Sequence, residues 1–251
     1  MEPAVVIALH PLPGLPEVQP GDDLAAQLLE AARDADITLD GGALVVCQKV
    51  VSKAEGRLIA LADVTPGKRA QEIAREHDKD PRHVEVVLGE TKRIVRQAPG
   101  VLICETHHGF VCANAGVDLS NAPGPDVAVL LPEDSDAAAR TLRAALQAGG
   151  AGELAVVISD TFGRPWREGL VDIAIGSAGV APLDDAGGRS DRAGRELVVT
   201  AMATPDQFAA AAGLLMLKDS GIAAVWISGV TPEGDGRLTD LVRDPAQDLF
   251  R

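Results

Sequence analysis

Aromatic residues are scarce: four Phe, two Trp and no Tyr make up 2% of 251 residues, so a side chain able to stack on a heterocycle stands out. Cysteine is scarce too. Cys47, Cys104 and Cys112 are odd in number and lack CxxC spacing, which argues against a disulfide framework or a structural zinc site. Buried thiols in a reducing cytoplasm are the expectation. Basic residues are outnumbered, 23 Lys and Arg against 37 Asp and Glu, for a formal net charge of −14. That balance opposes attraction to nucleic acid or to an anionic membrane surface. An anionic nucleotide would need local basic groups, backbone N–H groups or metal cations to offset the field. No run approaches the roughly 20 apolar residues of a membrane span, and Glu2 stands where a secretory signal carries positive charge. There is no Gx4GK[ST] loop, no GxGxxG between strand and helix, no HExxH and no GxSxG.

What is present is a chain 46% hydrophobic and 24% charged, of a length that suits one core divided into two sublobes. Residues 5–9 read as a strand followed by a Pro/Gly-rich loop at 10–18. Asp22-Asp23 precede Leu24, Leu28 and Leu29 at helical spacing, predicting a capped helix to about residue 34. Residues 43–48 read as a buried strand with the polar stretch 50–57 at its end. Residues 67–79 have the pattern of an exposed helix, its charges solvating rather than reacting. Two apolar runs, 101–104 and 110–113, flank Glu105-Thr106-His107-His108-Gly109 as in a hairpin. The neighbouring histidines face opposite ways in extended chain and read as an ordinary polar turn. Next come an apolar segment at 127–131, a helix at 136–148, and a strand from 154 that ends in Asp160-Thr161. A small apolar stretch (171–186), a Gly- and charge-rich one (187–196) and a strand (197–203) lead to an alanine-rich helix from 207 to about 218. A last strand covers 223–227, and the tail after Gly229 reads as poorly anchored.

Candidate chemistry gathers at strand ends and turns. Asp118 follows a glycine in a turn, and Asp160 stands beside Thr161. Two carboxylates and a hydroxyl from separate loops can converge on a hard divalent ion, magnesium or manganese before zinc. The same positions also suit an Asx-turn and a segment cap, and composition does not separate the two. Lys53, after a β-branched stretch and a serine, suits a phosphate as well as it suits solvent. Arg164 and Arg167 flank Trp166, so the indole could stack on a heterocycle while the guanidinium groups take a phosphate or carboxylate; a packed loop with surface salt bridges accounts for the trio equally.

Four passages in order carry a resemblance: Gly14-Leu15-Pro16-Glu17-Val18 with Pro20-Gly21-Asp22-Asp23; Lys49-Val50-Val51-Ser52-Lys53-Ala54-Glu55-Gly56-Arg57; Ala113-Asn114-Ala115-Gly116-Val117-Asp118-Leu119-Ser120-Asn121; and Ser159-Asp160-Thr161-Phe162-Gly163-Arg164-Pro165-Trp166-Arg167. Together, and continuing through Gly194-Arg195-Glu196-Leu197, they resemble the coenzyme F420-0:L-glutamate ligase family over roughly residues 5–230. The resemblance implies GTP-dependent amide formation between the phospholactyl carboxylate of coenzyme F420-0 and the α-amino group of L-glutamate, with further γ-glutamyl additions conceivable. It places Leu15, Pro16, Glu17, Val18, Gln48, Lys53 and Asn121 at GTP. Asp118 and Asp160 match ligands of one divalent cation and Thr161 a ligand of a second, with Lys53, Asp118 and Asp160 as the catalytic set. Arg164, Trp166 and Arg167 are candidates for deazaflavin or phosphate contacts. Magnesium or manganese at two sites is implied, with potassium as a further candidate cation.

Two positions depart from the family pattern. Gln48 stands where some relatives have a nucleotide-contacting serine, and Lys218 lies where an archaeal-type relative places a glutamine metal ligand; an ammonium cannot ligate a cation. The expected architecture is α+β, with mixed sheets in two interleaved sublobes of a single domain over residues 1–251. No C-terminal flavin-reductase-like domain is expected, and the resemblance implies a homodimer. A non-catalytic deazaflavin- or nucleotide-binding module, and a metal-dependent phosphohydrolase, are the alternative functions.

Overall fold

A computed structural model describes residues 6–198 and 200–248. The chain starts with β1 (Ala8–Pro11), α1 (Leu24–Asp34), β2 (Gly42–Cys47) and α2 (Gln48–Ala54). It continues through β3 (Leu58–Ala60), α3 (Lys68–His77), α4 (Pro81–Gly89), β4 (Thr91–Ala98), β5 (Val101–Thr106), β6 (Val111–Ala113) and β7 (Val127–Val129). The last third holds α5 (Ser135–Ala148), β8 (Leu154–Arg164), β9 (Arg167–Ala178), β10 (Leu183–Asp185), β11 (Ala201–Ala203), α6 (Thr204–Ala212) and β12 (Ala224–Ser228).

The central sheet runs β1-β12-β2-β8-β9, with β2 and β8 parallel and the other pairs antiparallel. Alternation along its strands sorts the core into two layers. Leu44, Val46, Val156, Ile158 and Trp226 pack beneath α1 and α5, whereas Val45, Val157, Val225 and Ile227 pack against α6. A separate apolar cluster, including Ile73, Val84, Val87, Leu102 and Leu130, joins α3 and α4 to the sheet β4-β5-β6. The architecture is α+β, but of the sheets formed by the described residues only the central one is mixed; β4-β5-β6, β3-β7 and β10-β11 are antiparallel, where mixed sheets were expected. Among the described residues no helix is long and apolar enough to cross a membrane.

The elements form where local chemistry favours them. Asp23 caps α1 by accepting the Ala26 N–H at 3.0 Å, and α4 begins with Pro81 behind the capping carboxylate of Asp80. Several expectations are corrected. The first strand is shifted to Ala8–Pro11, because it pairs with Trp226, Ile227 and Ser228 rather than following its own apolar run; Val5 lies outside the described residues. The polar stretch at 50–57 is largely helix α2: Val51 packs into the core, and Ser52 donates to Gln48 one turn back at 2.8 Å. Helix α4 and strand β4 were not anticipated; register shifts in β4 between Thr91 and Arg93 and between Ile94 and Arg96 erase its alternation. Strand β11 covers only Ala201–Ala203 of the expected 197–203, where Val199 is outside the described residues.

The alanine-rich helix stops at Ala212. A Cβ at Gly213 would lie 2.8 Å from the Asp172 carboxylate, and the chain breaks into turns there. The tail after Gly229 is anchored, not loose. Leu238 is buried, and its N–H donates to both oxygens of the buried Asp136 carboxylate at 3.0 Å, while Ala181 N–H donates to Glu233 O at 2.8 Å.

Candidate active site

Strand β2 ends at Cys47, opposite Ser159, but its parallel neighbour β8 runs on for five more residues. Beyond that point β8 has lost its partner on one side, and a cleft of 680 Å³ opens there. Asp160 is therefore inside a long strand, paired with Ile173 across the β8–β9 hairpin, and not at a strand's end as expected. The 10–18 loop, α2, the turn after β6 and the segment following α6 supply the other walls.

The turn that carries Asp118 is strained into place. Asn114, Ala115 and Gly116 follow one another at φ +51°, +53° and +75°, sparsely populated values for the first two. Gly116 is required by space as well, since a Cβ there would lie 2.7 Å from Leu131 Cγ and Cδ1. Backbone bonds in both directions between Asp118 and Val129 then fix the carboxylate. Its Oδ2 lies 2.7 Å from Lys49 Nζ; Ser120 donates its N–H to Oδ1 at 2.7 Å and its hydroxyl to Oδ2 at 2.9 Å.

Electrostatics separate the acids. Burial pushes the Asp160 carboxyl up to about 7, reinforced by the negative charges of Asp118 and Asp172, against a backbone N–H from Thr161 and the Lys49 ammonium. Burial also acts upward on Asp118, but the Lys49 salt bridge and the Ser120 hydrogen bonds outweigh it and hold this carboxyl below its usual range. Burial raises Asp172 too, opposed by the 2.7 Å hydrogen bond from Thr161 Oγ1 and the charge of Lys218. The cleft thiols are no nucleophiles: burial pushes Cys47 up to about 11 and Cys112 up to about 12.

Of the residues singled out from the sequence, Leu15, Pro16, Glu17, Val18, Lys53, Asp118, Asn121, Asp160 and Thr161 all line this one cleft. Lys53, in the last turn of α2, is buried and pairs with Glu17 Oε1 at 2.5 Å. Asn121 Nδ2 donates to the Lys218 carbonyl at 3.4 Å, which brings the departing lysine position to the same cleft. Gln48 is elsewhere: its side chain is fully buried at the start of α2 and accepts from Ser52. Arg164, Trp166 and Arg167 sit at the tip of the β8–β9 hairpin, outside the cleft wall, with Trp166 78% exposed at φ +57° and Arg164 donating to Glu168 O at 3.0 Å. Arg164 is four steps along the strand from Asp160, about 13 Å at the usual strand rise.

Lys49 and Asp172 were missed. Lys49 and Lys53 are one helical turn apart, a spacing that puts both on one face; the signal was there once residues 48–54 are taken as helix. Asp172 is the cross-strand partner of Thr161, and no sequence pattern marks that register.

Oxygen donors from Asp118, Asp160 and Thr161 in one cleft suit a hard divalent cation. Among the described residues no group of three His, Cys, Asp or Glu side chains forms a complete metal cage, and two carboxylates with the remaining positions left to substrate oxygens or water is how magnesium is commonly held.

A cleft of nucleotide size lined by three lysines and three acids belongs to an enzyme that handles small charged substrates. The profile of the F420-0:Gamma-glutamyl ligase family matches residues 14–229. The coenzyme F420:L-glutamate ligase of Methanopyrus kandleri is 44% identical over 251 residues, covering 98% of both chains. That of Methanothermobacter thermautotrophicus is 43% identical over 251 residues, covering 98% of this chain and 99% of its own; that of Halobacterium salinarum is 44% identical over 208 residues, 80% of this chain and 78% of its own. The chain belongs to the F420-0:gamma-glutamyl ligase family, and it is a ligase.

Proposed function

We propose that this chain forms an amide between the phospholactyl carboxylate of coenzyme F420-0 and the α-amino group of L-glutamate, driven by GTP. The observation that carries the reading is the cleft itself. It gathers the 15–18 loop, Lys53, Asp118, Asn121, Asp160 and Thr161, spread over more than half of the chain, around one space.

A carboxylate is a poor acyl donor because its leaving group would be oxide. Attack of the carboxylate oxygen on the γ-phosphorus of GTP, with breakage of the bond to the bridging oxygen, gives an acyl phosphate and GDP; the glutamate amine then displaces phosphate and loses its proton. In this reading Leu15–Val18 and Asn121 border the nucleotide, and Lys53 places a positive charge against its phosphates. Asp118, Asp160 and Thr161 would hold magnesium or manganese, which supplies charge neutralisation for a transferring phosphate. Asp172, bonded to Thr161 Oγ1, orients that hydroxyl. The hairpin tip carrying Arg164, Trp166 and Arg167 lies within reach of an elongated substrate that protrudes from the cleft. The exposed Trp166 and Leu170 on the same hairpin support a homodimer, for which light scattering in solution is the check.

Incubation with GTP, manganese, L-glutamate and coenzyme F420-0 tests the reading. A new amide product is expected, and Asp160→Asn should abolish it while leaving the circular dichroism spectrum intact. Phosphate release independent of glutamate would make the protein a phosphohydrolase, binding without turnover would make it a binding module, and near-normal turnover by Asp160→Asn would remove the metal assignment.

A further inference from the structure

The ammonium of Lys49 is 2.7 Å from Asp118 Oδ2 and donates to Ser120 Oγ at 2.8 Å. Its side chain is only 12% exposed. The lysine thus occupies an oxygen of one of the two carboxylates assigned above to the divalent cation. An ammonium has three donors and no lone pair, so it cannot join a metal's coordination shell. A divalent cation that takes Asp118 Oδ2 has to move it.

We propose that Lys49 is a resident counter-ion which the divalent cation must displace, and that the nucleotide's phosphates take up the displaced ammonium, so that metal binds tightly only once nucleotide is present. The inference rests on the metal reading given under the proposed function. The lysine stem is flexible. Lys49 lies one turn from Lys53 on the same short helix, and both line the cleft, so the freed ammonium stays beside the space assigned to the phosphates. Because coupling is reciprocal, metal and nucleotide raise each other's affinity by the same factor. Without nucleotide Lys49 acts through Asp118, and with nucleotide it acts on the phosphates directly.

Manganese titrations followed by electron paramagnetic resonance test this, on wild type, Lys49→Met, Ser120→Ala and Asp118→Asn, each with and without GTP. Wild type should bind manganese weakly alone and about tenfold or more tightly with GTP. Lys49→Met should bind manganese alone about tenfold more tightly than wild type and lose most of the gain from GTP. Ser120→Ala, which removes one tether of the ammonium, should move in the same direction by a smaller factor, and it decides the matter if Lys49→Met fails to fold. Manganese affinity without GTP that is unchanged or weaker in a folded Lys49→Met overturns the proposal. If Asp118→Asn binds manganese as wild type does, the metal reading falls and takes the inference with it. If Asp118→Asn loses binding while Lys49→Met gains none, only the role of the lysine falls.

Discussion

Replacing Asp160 by Asn should stabilise the protein in the presence of a chelator, and do so only at high pH. The folded protein keeps the Asp160 proton up to about pH 7, whereas the unfolded chain releases it near 3.8. Between those values the native state binds more protons than the unfolded one, so stability falls as pH rises and this contribution is fully lost above about 7. At about 1.4 kcal/mol per pH unit the gap is worth at most about 4 kcal/mol. Asp160 is partly open to the cleft, which brings the expected effect to about 2 kcal/mol. Asparagine copies the shape of the protonated acid and carries no charge at any pH. In a chain of this size that amounts to a melting temperature about 6 °C above wild type near pH 8, and no difference near pH 4. Differential scanning calorimetry with chelator across this range is the measurement. Saturating manganese should reverse the order, because only wild type gains the binding free energy. A variant no more stable than wild type near pH 8, or a gap equal at both ends of the range, would refute the account of why this carboxyl is perturbed.

Gly116→Ala combines a φ of +75° with a Cβ 2.7 Å from Leu131, so it should lose about 3 kcal/mol in urea unfolding; a loss under about 1 kcal/mol would show that the turn can relax. Asp136→Ala removes the acceptor of the Ser177 and Leu238 N–H groups, and should cost about 3 kcal/mol while opening the tail to trypsin at Arg237 and Arg243. Unchanged cleavage there would mean that other contacts hold the tail. Lys53→Met keeps the buried stem but removes the charge facing Glu17, and should weaken GTP binding about tenfold in calorimetry with little effect on melting; equal affinity would remove Lys53 from the phosphates.

What the sequence made legible follows the range of the interactions. Helix α1 announced itself through Asp23 and the spacing of Leu24, Leu28 and Leu29, all local signals. The strands β2, β8 and β12 showed as apolar runs, because burial on both faces removes the need for polar alternation. Helix α2 was hidden, since Val50 and Val51 favour strands and only packing against the core decides for helix. The tail reads as loose for a similar reason: its Gly-, Asp- and Pro-rich sequence carries no sign of Asp136, about a hundred residues earlier, which accepts its backbone. Within the cleft, the acids were found through their neighbours in sequence. Asp172, and the contacts of Lys49 with Asp118 and with Ser120, the latter 71 residues away, depend on hairpin register and on a returning turn, and neither leaves a local trace.

The charge of the cleft bears on the charge of the chain. Its walls present Lys49, Lys53 and Lys218 against Glu17, Asp118 and Asp160, three of each sign, within a molecule whose formal charge is −14. The cleft is thus locally balanced but offers no surplus of positive charge to a polyphosphate. Two of its three lysines are already engaged by acids, Lys49 by Asp118 and Lys53 by Glu17. Drawing those ammonium groups to a phosphate strands a carboxylate each time: a divalent cation at Asp118 and Asp160 would offset the loss at Asp118, and water reaches the exposed Glu17. Raising ionic strength at fixed manganese should therefore weaken GTP binding less than it would in a cleft built on free lysines, because the Lys49–Asp118 pair is partly buried and screened little by salt. A steep salt dependence in equilibrium dialysis would show instead that long-range attraction, and not local exchange of partners, brings the nucleotide in.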